Sequence, residues 1–136
     1  MYGQEGGNLT LDSAPFAART VVMIAERTAN LTFFSTHARA LKRGLDGMPL
    51  SRRGLVWNDG ATIGYGFHDG VVKSGEVLYS SLLFYDACRG MSRLHNRTGD
   101  GELGLAFYRK ARAVQAAVTA AFWNATQGRV SLFVFS

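Results

Sequence analysis

The stretch from Glu76 to Trp123 decides the fold, and it reads EVLYSSLLFYDACRGMSRLHNRTGDGELGLAFYRKARAVQAAVTAAFW. Its first half places one stripe of residues at helical spacing: Leu78, Leu82, Tyr85, Cys88 or Arg89, and Ser92. Its second half does the same with Leu103, Phe107, Ala111, Val114, Val118 and Phe122. The first helix is expected to end at about Leu94 and the second at about Trp123, each roughly 20 residues or about 30 Å long. The turn between them, His95 to Asp100, is short, and Asp100 is the expected N-cap of the second helix. We therefore expect an antiparallel helical hairpin.

The flanking sequence extends this mainly α fold. Residues 1–12 are predicted to be a flexible, glycine-rich lead-in, and residues 13–136 a single helical domain. The segments 14–29 and 31–45 form either one bent helix or two. In the second segment one face carries Phe34, His37, Ala38, Leu41 and Leu45. The apolar, β-branched run Arg129–Ser136 predicts a short C-terminal strand.

Composition and charge exclude several classes of protein. The chain has 136 residues, 47% of them apolar, and a net charge of +5. Its basic residues are scattered from Arg19 to Arg129 and form no arm or stripe, so we expect a solvated basic surface and no nucleic-acid partner. An acidic partner or anionic sugar units remain an alternative. No apolar run approaches the roughly 20 residues that span a bilayer, so we expect no membrane partner.

The asparagines point to the secretory pathway. Four of the five head an Asn-x-Ser/Thr triplet: Asn8, Asn30, Asn96 and Asn124. Such triplets accept glycans only in a secretory compartment. We therefore expect a secreted glycoprotein, although the polar start of the chain does not resemble a signal peptide. Without that pathway, the protein would be cytoplasmic.

The segment 46–75 is where we expect a functional site. It holds seven of the sixteen glycines and has no helical period. It also carries three aromatic residues: Trp57, Tyr65 and Phe67. A long loop of this kind inside a compact domain is uncommon unless it is functional.

Several short runs resemble bacterial and fungal six-hairpin glycosidases. They are Gly54-Leu-Val-Trp57, Tyr65-Gly-Phe-His-Asp69, Lys73-Ser-Gly75, Gly99-Asp-Gly-Glu102, Tyr108-Arg-Lys-Ala111, Phe122-Trp-Asn124 and Gly128-Arg-Val130. The resemblance covers roughly residues 31–132. It implies an (α/α) toroid of six helical hairpins, whose end loops line a pocket and cleave glycosidic bonds of oligo- or polysaccharides. Six such hairpins need several hundred residues, so the chain would form an incomplete toroid.

The resemblance also implies a set of site residues. Glycoside hydrolysis needs one carboxyl group that protonates the leaving oxygen and a second that acts as base or nucleophile. Asp69 is the first choice for a catalytic carboxyl group, and Asp59 is the nearest second one. Glucoamylases carry a glutamate shortly after this aspartate, where the chain has Val71 and Val72. Substrate binding therefore remains an alternative role for Asp69.

Other residues are assigned to the substrate or to the core. We expect Trp57, Asp59, Tyr65, His68 and Lys73 to contact a carbohydrate, without a cofactor. The three histidines have no metal-site spacing, so no metal is expected. We expect Phe67, His37 and Cys88 in the core. Glu76, Asp100 and Glu102 are interpreted as charges at helix starts.

An incomplete toroid would leave apolar helix faces bare. We expect those faces either to pack on the remainder of the toroid or to cause self-association. The first alternative function is a small helical binding module without catalytic activity, which would use the segment 54–75 as its binding surface. The second is a nucleic-acid binder, which the net charge alone suggests.

Overall fold

The computed structural model describes residues 11–58, 74–131 and 133–134, and this part of the chain is mainly helical, as predicted. Its helices are α1 (Ser13–Thr28), α2 (Leu31–Asp46), α3 (Leu78–Arg97) and α4 (Gly101–Phe122). Its short strands are β1 (Trp57–Asn58), β2 (Gly75–Val77), β3 (Trp123–Asn124), β4 (Arg129–Val130) and β5 (Phe133–Val134).

Local chemistry at the turns separates the helices. Ala29 has a left-handed φ of 54°, which ends α1. The Asn30 side chain then accepts a hydrogen bond of 2.9 Å from the backbone N–H of Phe33 and starts α2. The segments 14–29 and 31–45 are therefore two helices. The predicted N-cap of α4 is confirmed, because Asp100 accepts from the backbone N–H of Leu103 at 3.2 Å.

Helix α3 lies at the centre and packs against α1, α2 and α4. Its buried side chains therefore cover more of its circumference than one stripe: Leu78, Ser81, Phe84, Cys88, Met91 and Leu94. The predicted stripe is wrong at Leu82, which is 46% exposed. The prediction for α4 holds better, since Phe107, Ala111, Val114 and Phe122 are all buried.

Charged pairs cross the helix contacts at the surface. Arg19 pairs with Asp86, and Arg93 donates to Glu26 at 2.8 Å, so both pairs join α1 to α3. Across α2 and α4, Lys110 donates to Asp46 at 2.6 Å. Exposed pairs of this kind contribute about 0–1 kcal/mol each. The buried core, which includes Phe34, Phe84 and Phe107, therefore supplies most of the stability.

The predicted strand structure over Arg129–Ser136 is confirmed in the described residues, but it is divided in two. The run contains two strands in two different sheets: β4 pairs with β3, and β5 pairs with β2. Gly128, with a φ of 60°, closes the turn that folds β4 back onto β3. The Ser131 N–H donates to the carbonyl of Phe122 at 2.8 Å, which extends the contact between these strands to the last residue of α4.

Candidate functional site

The two ends of the segment 59–74 meet at a small antiparallel sheet. Strand β1 pairs with β2, placing Trp57 opposite Glu76 and Asn58 opposite Gly75. Strand β5 pairs with the other edge of β2. The described residues Asn58 and Gly75 are therefore direct partners in this sheet, although 16 residues separate them in the sequence.

Backbone contacts fix the outer side of this sheet. The Trp57 N–H donates to the carbonyl of Pro49, and the Val77 N–H donates to the carbonyl of Val56, each at 2.9 Å. Leu50 and Val56 form a further antiparallel bridge. The contacts to Pro49 and Leu50 therefore join the segment after α2 to β1, and the bond from Val77 to Val56 joins the start of β1 to β2.

Ser81 attaches the first turn of α3 to both strands. Its side chain is fully buried. Its Oγ accepts from the N–H of Val56 at 2.9 Å and donates to the carbonyl of Val77 at 2.7 Å. A buried hydroxyl that makes both hydrogen bonds stabilises the junction, since either bond left unmade would cost about 1–3 kcal/mol.

A buried ion pair lies at the centre of this junction. The Glu76 side chain is only 5% exposed, and the Arg53 side chain, 47% exposed, covers it. Arg53 Nε donates to Oε1 at 3.1 Å, and Nη2 donates to Oε2. This two-point geometry is the stronger form of an arginine–carboxylate pair. The interpretation of Glu76 as a helix-start charge is wrong, because Glu76 lies in β2 before α3 begins.

The turn before β1 presents Arg53 to this carboxylate. Gly54 has a φ of 81°, and its N–H donates to the carbonyl of Ser51 at 2.9 Å. The Ser51 hydroxyl accepts from the N–H groups of Arg53 and Leu55 at 3.2 and 3.3 Å. Sequence reasoning missed the pair because Arg53 and Glu76 are 23 positions apart.

Trp57 is the predicted sugar-contacting residue that the structure describes. It is half-buried, and its register places it directly opposite Glu76. Directly opposed side chains lie on the same face of a sheet. The Trp57 side chain and the carboxylate that pairs with Arg53 therefore lie side by side on one face of the sheet formed by β1 and β2. Aromatic faces bind the apolar side of small ligands, and charged groups orient their polar side.

The other predicted site residues lie outside the described residues. They are Asp59, Tyr65, His68, Asp69 and Lys73, together with Phe67 of the predicted core. Their assignment to a site stays a prediction. Within the described residues, Glu76 holds both of its oxygens on Arg53.

Two core predictions have opposite outcomes. Cys88 is fully buried, as predicted, and burial raises the pKa of its thiol to about 12. The prediction for His37 is wrong: it is exposed, and its ring meets Phe33 edge-on. The buried histidine is His95, only 5% exposed. The sequence pattern places His95 in the turn between the two long helices, because the first of them is predicted to end at Leu94. In the structure α3 extends to Arg97.

Three of the predicted glycan acceptors lie in described parts of the chain. Asn30 is exposed and uses its side-chain oxygen to cap α2. Asn96 is exposed in the last turn of α3 and packs against Gly104. Asn124 is half-buried and bonds Gln127 through its side-chain oxygen at 3.0 Å. Asn8 lies outside the described residues. Glycosylation stays a prediction at all four positions.

Two further kinds of site are not found in the part of the chain that the structure describes. No group of three or more histidine, cysteine, aspartate or glutamate side chains could hold a metal ion there. Among those same residues, no helix has both the length and the apolar character needed to cross a bilayer.

Comparisons with known proteins leave the family open. The sequence matches no protein-family model and no curated protein. The resemblance to six-hairpin glycosidases therefore remains a prediction that rests on the residues themselves.

Proposed function

We propose that the chain is part of a carbohydrate-active enzyme of the six-hairpin kind, which hydrolyses glycosidic bonds once its toroid is complete. The observation that carries the proposal is the pairing of β1 with β2, which brings together Asn58 and Gly75, described residues that flank positions 59–73 in the sequence. Ser81, in the first turn of α3, is bonded to this pair through Val56 and Val77. The segment contains the aromatic-aspartate run that resembles these glycosidases, from Tyr65 to Asp69.

The proposed chemistry assigns a role to each part of the site. Asp69 is the carboxyl group that acts on the glycosidic oxygen or on water, and Asp59 is the nearest second carboxylate. Trp57 and Tyr65 stack on the sugar ring, while His68 and Lys73 bond its hydroxyl groups. The Arg53–Glu76 pair keeps the ends of the segment in place. The proposed substrate is an oligo- or polysaccharide, and the reaction needs no cofactor.

Sugar binding by the chain itself is the first test. The chain has two tryptophans, Trp57 and Trp123. A Trp123→Phe variant leaves Trp57 as the only one, so a change in its fluorescence reports on the proposed site. We expect saturable quenching by at least one oligosaccharide of a panel that contains neutral and uronic sugars. The Trp57→Phe variant, which keeps Trp123, is the control and should show no such signal. Absence of quenching across the panel would contradict the proposal.

The role of Asp69 is tested in a protein that carries the remaining hairpins. We expect Asp69→Asn to lower the hydrolysis rate by at least about 100-fold, because a positioned acid or base typically contributes that much. Glu102→Gln is the control, since Glu102 is exposed in the first turn of α4. An activity loss well below tenfold would remove Asp69 from the chemistry and leave it a role in binding.

Exposed apolar side chains favour a second candidate function, a helical interaction module. Phe16 and Met23 on α1 are 40% and 47% exposed. They border a groove of about 330 Å³ between α1 and α3, which also contains Arg19 and Asp86. In this case the sugar panel gives no signal, and sedimentation velocity shows association that increases with concentration. A sharp monomeric melting transition would count against both the incomplete toroid and the interaction module.

A further inference from the structure

His95 occupies an unusual position for a titratable side chain. It is 5% exposed, in the last turn of α3, where α2, α3 and α4 meet. The Phe34 ring of α2 meets it edge-on, with centroids 5.2 Å apart. The Phe107 ring of α4 stacks on it at 5.7 Å, with an interplanar angle of 12°. The imidazole thus contacts one aromatic ring from each of two helices that pack on α3.

Neither ring nitrogen of His95 has a well-formed hydrogen bond to a described residue. Nε2 is buried and has no hydrogen-bond partner among the described residues. Nδ1 lies 3.6 Å from Oδ2 of Asp100, which is too long for a hydrogen bond. A neutral ring tolerates this setting. A protonated ring would carry a charge and a buried N–H donor without an acceptor, which is costly.

The charged groups around His95 come from each packed element. Asp100, in the turn before α4, faces Nδ1. From α2 comes Lys42, which pairs with Asp46. From α4 comes Lys110, which also pairs with Asp46 and lies 5.4 Å from the centroid of the Phe107 ring. Asp100 favours the protonated ring, and Lys42 opposes it.

We propose that His95 is a pH-sensitive contact between α2, α3 and α4: a proton on its ring weakens the packing of Phe34 and Phe107 on α3. Burial lowers the pKa of His95 below its ordinary value of 6.5, Asp100 raises it in part, and Lys42 lowers it further. The unfolded chain therefore binds a proton more tightly than the folded one. The stability that this contact supplies is complete above pH 6.5, and it is lost as the pH falls from there towards the folded-state pKa.

The test compares urea unfolding of three proteins from about pH 8 to about pH 5: the unmodified chain, His95→Leu and His37→Leu. His37 is the matched control because it is exposed on α2. As the pH falls below the unfolded-state pKa of His95, the unfolding constants of the unmodified chain and of His37→Leu should rise by up to about tenfold per pH unit. The rise is measured relative to the unfolding constant of His95→Leu at the same pH. Equal pH dependence in the unmodified chain and His95→Leu would overturn the proposal.

A second measurement does not depend on how the leucine variant folds. NMR titration of the imidazole signals in the unmodified chain should give His95 a midpoint below its ordinary pKa of 6.5. Asp100→Asn keeps a residue type that caps α4 but removes the facing charge, so it should lower the His95 midpoint further. A His95 midpoint at or above 6.5 would overturn the proposal.

Discussion

Replacing Arg53 by methionine is expected to lower the free energy of unfolding by about 2–3 kcal/mol, because the change leaves a buried carboxylate without its cation. Glu76 is only 5% exposed and bonds Arg53 through both of its oxygens. Breaking a fully buried pair costs about 3–5 kcal/mol. Arg53 is half-exposed, so water screens part of that loss, and the expected value lies at or below the lower end of the range. Urea unfolding followed by circular dichroism measures the change.

The neighbouring arginine supplies the control for this prediction. Arg52 is exposed in the same turn, so Arg52→Met should change the stability by less than about 0.5 kcal/mol. The double variant Arg53→Met with Glu76→Met should recover most of the loss, because apolar residues often replace a buried pair at little cost. Equal effects of Arg52→Met and Arg53→Met would show that the pair does not stabilise the sheet.

The helices could be predicted from the sequence because their signals are local. A periodic apolar face and a capping asparagine or aspartate are read within a few residues, as at Asn30 and Asp100. Each boundary of α1, α2 and α4 lies within two residues of its prediction. The end of α3 is predicted about one helical turn too early. The prediction therefore puts His95 in a loop, whereas the structure buries it in α3.

The sheet could not be predicted because its information is not local. Each of its strands has two or three residues, too few to show a period of two. Pairing depends instead on contacts between distant positions, such as Trp57 with Glu76 and Val77 with Phe133. The Gly-Glu-Val sequence of β2 precedes a strong helical pattern, so that pattern assigns Glu76 to the helix. Neither the charge of Glu76 nor its position next to a helix indicates that Arg53 covers it.

The position of Gly90 explains why α1 and α3 approach so closely, and it leads to the second large prediction. A Cβ atom at Gly90 would lie 2.8 Å from Cγ1 and 3.2 Å from Cβ of Val22. Rotation of the Val22 side chain can move Cγ1 but not Cβ, whose position the backbone of α1 fixes. Gly90→Leu must therefore push α1 away from α3. We expect a loss of about 3 kcal/mol in the free energy of unfolding, the upper end of what overpacking costs.

Graded variants separate this steric effect from helix propensity. Gly90→Ala gains about 1 kcal/mol of helix propensity, yet it should still be destabilising, and Val22→Ala in the same chain should recover part of the loss. Gly101→Ala is the control, because nothing lies within 4 Å of a Cβ at that position. A Gly90→Ala protein as stable as Gly101→Ala would show that α1 and α3 are not held this close in solution. Since the two ion pairs across these helices contribute little, the close contact at Gly90 is the feature that most directly fixes the position of α1 on α3.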